Sequence, residues 1–130
     1  MIKEFHNKKE IRKYFDKITN TYIFKEKGEY IDLVVFNFCL DIKADIDCWN
    51  INSMNIKAWE IRANNISAWN IDARNIHALD IKALSIIAND ISYWAVCYAS
   101  NKIKCRHIKG RRKNAKHFVL DGELEVLEND

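Results

Sequence analysis

Isoleucine occupies every fifth position from residue 46 to residue 91 (46, 51, 56, 61, 66, 71, 76, 81, 86 and 91), and Val96 follows in the same step. Two residues after each isoleucine stands a small side chain: Cys48, Ser53, Ala58, Ala63, Ala68, Ala73, Ala78, Ala83 and Ala88, until Tyr93 interrupts. The position before each isoleucine up to Ile91 is Asp, Asn, Glu or Ser. A period of five fits neither the 3.6 of an α-helix nor the 2.0 of a flat strand, so no single regular element keeps these isoleucines on one buried side. A coil with one short strand and one corner per repeat does. The pattern therefore predicts a mainly β solenoid.

The flanks read differently. Ile11, Tyr14, Phe15 and Ile18 share one face of an amphipathic helix expected over residues 3–19, with Lys8, Lys9, Glu10, Arg12 and Lys13 on its wet side. Residues 21–24 and 30–40 are rich in aromatic and β-branched side chains, and the turn glycine Gly28 between them predicts a hairpin. After Val96 the pattern slips by two residues and restarts at Ile103-Lys104-Cys105 and Ile108-Lys109-Gly110, enough for one more partial coil. Asp121-Gly122 lies between the alternating apolar runs 117–120 and 123–127, a hairpin signal. We expect one domain: a helix-and-hairpin cap (1–40), the repeats (41–96), and a basic partial coil with a C-terminal hairpin cap (97–130). Short solenoids need such caps, because an open end exposes unpaired backbone.

Units such as Asn55-Ile56-Lys57-Ala58-Trp59, Asn65-Ile66-Ser67-Ala68-Trp69 and Asn75-Ile76-His77-Ala78-Leu79 set a polar residue directly before a large apolar one. Over about 55 of its 130 residues the chain resembles the pentapeptide-repeat proteins in this respect. It departs from them in placing alanine two residues after the large residue instead of two before. The resemblance implies a right-handed β-helix in which four units close one square coil. Eleven units would then make a rod under three coils tall, at about 4.8 Å per coil. Two registers remain open: isoleucine in the family's central inward position, or isoleucine and alanine as an inward pair flanking an outward residue. The second is favoured, because the first turns Trp59 and Arg74 inward. A coil of twenty residues would stack Trp49 under Trp69, Trp59 under Leu79, and Met54, Arg74 and Trp94 along another side. It would also pair Asn50 with Asn70 and Asn55 with Asn75 in amide ladders.

Composition narrows the setting. The net charge of +3 is uneven: residues 41–96 carry 5 basic and 7 acidic side chains, residues 97–130 carry 8 and 5. Nineteen isoleucines, fifteen lysines and fourteen asparagines fit an AT-rich genome, such as that of a low-GC bacterium or its phage. No run of eighteen apolar residues and no signal-peptide layout occurs, so a cytoplasmic location in a bacterial or phage-infected host cell is expected. Cys39, Cys48, Cys97 and Cys105 are irregularly spaced and read as reduced, small buried thiols.

Candidate chemistry is sparse. There is no Gly-rich phosphate loop, nucleophile elbow or His-Glu-x-x-His, and Cys105-Arg106-His107 matches no usual zinc spacing, so no enzyme, metal or cofactor is expected. Two features point to binding instead. Trp49, Trp59, Trp69 and Trp94, with Arg74, would form a docking surface if they stand at the corners, or simply pack over the coil if they fold back. Lys102, Lys104, Arg106, Lys109, Arg111, Arg112, Lys113 and Lys116 form a run free of acidic residues that could grip phosphate or an acidic protein surface, or remain a solvated loop. The leading expectation is a protein-binding module that inhibits or shields a nucleic-acid-processing enzyme, for example a phage anti-defence protein of anti-CRISPR type. The alternatives are a DNA- or RNA-binding module acting through residues 102–116, and a self-associating rod; a homodimer is compatible with each.

Overall fold

The structure, a computed structural model, describes residues 2–36 and 38–127. It is a β-solenoid of about six turns, with little helix. The strands are β1 (Ile2–Phe5), β2 (Phe15–Asp16), β3 (Thr21–Ile23), β4 (Lys25–Glu26), β5 (Glu29–Tyr30), β6 (Asp32–Val35), β7 (Leu40–Asp41) and β8 (Asp45–Asp47), then the long, cornered β9 (Asn50–Arg62), β10 (Asn65–Ile87) and β11 (Asp90–Cys105), and finally β12 (His107–Gly110), β13 (Lys116–Val119) and β14 (Glu123–Val126). No helix among the described residues is long and apolar enough to cross a membrane.

The coil closes after fifteen residues, not twenty. Ile66 lies beside Ile51, Ile71 beside Ile56 and Ile76 beside Ile61, all in parallel register. Three units therefore make a turn, and the rod has three faces. Face one stacks β1, β6, residues 50–53, 65–68, 80–83 and 96–99, and β13. Face two stacks β7, residues 55–58, 70–73, 85–88 and 102–105, and β14. Face three stacks β3, β8, residues 60–62, 75–77 and 90–93, and β12. With three units per turn and coils beginning before residue 41, the rod is about twice the height expected.

Burial decides the register in favour of the isoleucine–alanine pair. Ile66, Ala68, Ile71, Ala73, Ile76 and Ala78 are all buried, whereas Ser67, Asp72 and His77 between them are exposed. Each isoleucine removed from water stabilises the fold by about 1.5–3 kcal/mol. Cys48, Cys97 and Cys105 take inward places as expected, with Cys97 pushed up to about 12 by burial and unreactive on that account; Cys39 is exposed. Asn ladders exist but follow the fifteen-residue coil: Asn65 Nδ2 donates to Asn50 Oδ1 (3.0 Å), and Asn70 Nδ2 donates to Asn55 Oδ1 (2.8 Å).

The slip near Val96 is two one-residue bulges. The register with β10 moves from Ala78↔Tyr93 to Asp80↔Val96, and again from Ala83↔Ala99 to Ser85↔Lys102. Val96 consequently leaves the inward column, and Cys97 takes its place beside Ile81. Tyr93 holds an alanine position yet is buried, and the next coil yields to it: a Cβ on Gly110 would sit 2.8 Å from the Tyr93 hydroxyl.

The ends depart most from expectation. The helix shrinks to α1 (Lys8–Ile11) and a 3₁₀ turn at Arg12–Tyr14, because residues 2–5 join face one as β1. Ile11 and Tyr14 are buried, but Ile18 is almost fully exposed. Phe5, Tyr14 and Phe24 form an aromatic cluster with centroids 5.2–5.8 Å apart that seals this end, and Glu26 binds Lys3 and the Tyr14 hydroxyl across it. The expected hairpin is only β4–β5, turned by Lys27 (φ 52°) and Gly28 (φ 80°), the left-handed pair that two-residue hairpins favour. At the other end, among the described residues, there is no hairpin. β13 and β14 both run parallel to β11 on different faces, so residues 107–126 are a further full coil and not a lid.

Candidate docking face

Where the corners fall determines what the tryptophans do. A unit runs inward, outward, inward, then turns over two residues, so the residue after each small position stands at an edge of the prism. On the edge leading into face one, Asn64 N donates to Trp49 O (2.6 Å) and Leu79 N to Asn64 O (2.7 Å), and Trp94 follows one coil further on. Trp49, Leu79 and Trp94 are 49%, 40% and 46% exposed along that edge. The opposite edge of face one carries Phe36, Trp69, Leu84 and Leu120, all exposed.

Between these edges face one is flat and weakly charged. Its outward column runs Glu4, Val34, Asn52, Ser67, Lys82, Tyr98 and Phe118, with one acid and one base among seven. Tyr98 and Phe118 stack at 5.4 Å with 23° between planes, and Lys82 Nζ lies 5.7 Å from the Tyr98 ring. A shallow groove of about 520 Å³ crosses this face, lined by Asn52, Asn65, Ser67, Asp80, Lys82 and Tyr98 among others. The groove on face two is instead rimmed by Asp41, Lys43, Lys57, Asp72 and Arg74. Among the described residues, face one is thus the face with the fewest charges between apolar edges, where desolvation on docking costs least.

The structure separates residues that sequence reasoning grouped. Trp59 and Arg74 stand on the third edge, between faces two and three, with the Arg74 guanidinium 4.5 Å above the Trp59 ring. Trp59 is only half-buried there and packs as a cation–π pair, away from the other three tryptophans. Neither Trp49 with Trp69 nor Arg74 with Trp94 shares a column. Tyr98, Phe118, Leu84, Leu120 and Phe36 belong to the apolar face and were not singled out from sequence, and Leu79, expected above Trp59, stands on the Trp49 edge instead; their signal is that they fall at outward or edge positions of face one.

The basic run winds round the rod rather than forming one patch. Lys102 and Lys104 decorate face two, Arg106 the next edge, Lys109 face three, and Lys116 face one, while Arg111, Arg112 and Lys113 lie in the corner loop between faces three and one. Arg111 is spent on structure. Its guanidinium reaches His77 Nε2 (2.9 Å), Tyr93 O (3.3 Å) and Ala78 O, strapping the loop to the coils below. Burial and then the Arg111 charge hold the His77 imidazole below its ordinary pKa, which keeps Nε2 free to accept. Arg112, Lys113 and Lys116, with Lys82, therefore remain as the cations bordering face one. No three His, Cys, Asp or Glu side chains converge among the described residues. Comparison of the chain with protein-family models, curated proteins and solved structures gives no match.

Proposed function

We propose that this chain is a non-catalytic protein-binding module and that face one is its docking surface. The observation that carries this reading is that three of the four tryptophans, with Tyr98 and Phe118, frame or occupy the least charged face of a rigid rod. Tryptophan and tyrosine dominate binding hot spots, and a surface built on stacked strands loses little conformational entropy on docking. The partner that fits has apolar sockets and an acidic or phosphate-bearing rim to meet Arg112, Lys113 and Lys116. An inhibitor or shield of a nucleic-acid-processing enzyme, of the anti-CRISPR kind, is the instance we favour, since such an enzyme carrying its nucleic acid offers both. Kinship with the pentapeptide-repeat proteins forms part of the proposal, with a three-sided coil in place of the square one.

The test is a pull-down from a low-GC bacterial lysate with and without nuclease, using wild type, a Trp49→Ala/Trp69→Ala/Trp94→Ala variant and Trp59→Ala. We expect a nuclease-resistant partner that wild type and Trp59→Ala retain alike. The triple variant should bind it more than about a hundredfold more weakly, because hot-spot tryptophans contribute about 2 kcal/mol or more each. Retention by the triple variant would remove face one from the account. Loss with nuclease alone would shift it to direct nucleic-acid binding, which falls steeply with salt.

A further inference from the structure

The two ends of the rod are chemically unlike, and the difference points to a partner. The first coil is sealed by α1 and the cluster of Phe5, Tyr14 and Phe24, all buried. The last coil has no such cover among the described residues: β12, β13 and β14 each pair with β11 on one side only. Its inward side chains betray the opening. Leu124 and Val126 are 38% and 37% exposed, whereas Ile103 and Cys105 directly beneath them are 0% and 1% exposed. Three strand edges surround a floor of Ile108, Val119, Leu124 and Val126, with His117 held by the Tyr93 hydroxyl (2.6 Å), and form a template for another β end.

We propose that the occupant is the same end of a second copy of this chain, in a closed, two-fold, head-to-head dimer. Charge selects both the partner and the axis. The outward residues of the last coil are His107 and Lys109 on β12, Lys116 and Phe118 on β13, and Glu123 and Glu125 on β14. A two-fold axis through one face pairs that face with itself and exchanges the other two. Through face two it sets Glu123 and Glu125 against their own copies and Lys109 near Lys116 of the second copy. Through face three it sets Lys109 against itself. Through face one it lays β13 antiparallel on its copy near Phe118, and lays β12 on β14 of the second copy, so that Lys109 opposes its Glu123 and Glu125 on both sides of the contact, while His107 stays bonded to Asp90 (2.8 Å). Only that axis opposes Lys109 with carboxylates on both sides of the contact and sets no charged strand centre against its own copy, while aligning the two floors.

Because the other end is sealed, assembly stops at two copies and does not continue into a fibre. The dimer also joins the two faces one into a single surface of doubled length. This inference stands on the open coil and its charges, and is independent of what face one binds.

Sedimentation velocity over a concentration series tests it with charge exchange. Wild type should approach twice 15.4 kDa. Lys109→Glu, and separately Glu123→Lys/Glu125→Lys, should each weaken dimerisation at least about tenfold, since each creates like-charge contacts on both sides. Mixed in equal amounts, the two variants should recover a dimer, because the glutamates at 109, 123 and 125 of one then meet the lysines at 109, 123 and 125 of the other on both sides of the contact. A wild type that is monomeric at its highest soluble concentration would overturn the proposal. So would species that keep growing with concentration, or variants that stay dimeric alone or fail to recover on mixing.

Discussion

Replacing Ile71 with alanine is expected to lower unfolding free energy by about 2–5 kcal/mol, whereas Asp72→Ala beside it should stay within about 0.5 kcal/mol. Ile71 is 1% exposed in the middle of the rod, between Ile56 below and Ile86 above, and truncating it leaves a void that coils fixed on both sides cannot close. Asp72 points outward from the same strand, exposed beside Lys57, where a surface charge pair contributes little. Urea unfolding of both variants checks the contrast, and equal losses at the two positions would mean that the inward pair has been misplaced. A similar argument applies at every central unit, so the expected unfolding is cooperative along the column, with each coil leaning on its two neighbours.

Gly122→Ala should detach the last strand of the final coil. A Cβ there would overlap the Asn101 carbonyl oxygen and lie 2.8 Å from its carbonyl carbon. Both are backbone atoms of the coil beneath, held by Asp121 N donating to Ser100 O and Leu120 N donating to Ala99 O, so neither can step aside. Overpacking of this kind costs about 1–3 kcal/mol. Here the cost falls on β14 alone, which has a partner on one side only. Amide exchange in residues 123–126 should accelerate at least about tenfold, while the central repeats keep their protection. Unchanged exchange in β14 would show that the Asp121-Gly122 corner approaches Asn101 less closely than described.

That glycine also shows where sequence reasoning reached its limit. A DG step between two alternating apolar runs specifies a reversal of direction, and a hairpin and a solenoid corner satisfy it equally. Only the close approach to Asn101, a residue more than twenty positions earlier in the chain, makes glycine obligatory, and that approach is set by the coil beneath. The repeat is a second example. Isoleucine every fifth residue fixes which side chains point inward, and it did so here from residue 46 to residue 91. It does not fix how many units close a turn, because in a strictly periodic sequence fifteen and twenty residues both stack isoleucine on isoleucine and alanine on alanine. The non-repeating positions carry that information: Asn50 bonds Asn65, Arg74 covers Trp59, and Tyr93 requires Gly110.

The candidate site inherits both the strength and the weakness of that reading. Tryptophans at the edges and a basic run near one end were legible from residue type and spacing. Their grouping was not, since it follows from the coil number: with three faces, Trp49 and Trp94 share an edge, Trp69 stands across face one from them, and Trp59 leaves the set. The basic run, contiguous in sequence, becomes a collar, and one of its members, Arg111, is a strap instead of a contact. The N-terminal cap is shorter than expected and the C-terminal segment is a coil for a related reason. Phe5 in residues 2–5, and Ile108, Val119, Leu124 and Val126 in residues 107–126, take inward places, so these segments lie on the neighbouring coil instead of forming a longer helix or a hairpin.

The placement of every surface described above depends on fifteen residues closing one turn, and paired cysteines measure that directly. In a background with the four native cysteines replaced by alanine or serine, Asn52→Cys/Ser67→Cys joins outward neighbours on face one, fifteen residues apart and side by side in the register. Asn52→Cys/Asp72→Cys places the second thiol twenty residues on, on face two. Under mild oxidation the first pair should form an intramolecular disulfide and the second should not; a bond in the second pair without one in the first would establish a four-unit coil and dissolve the face on which the proposed function rests.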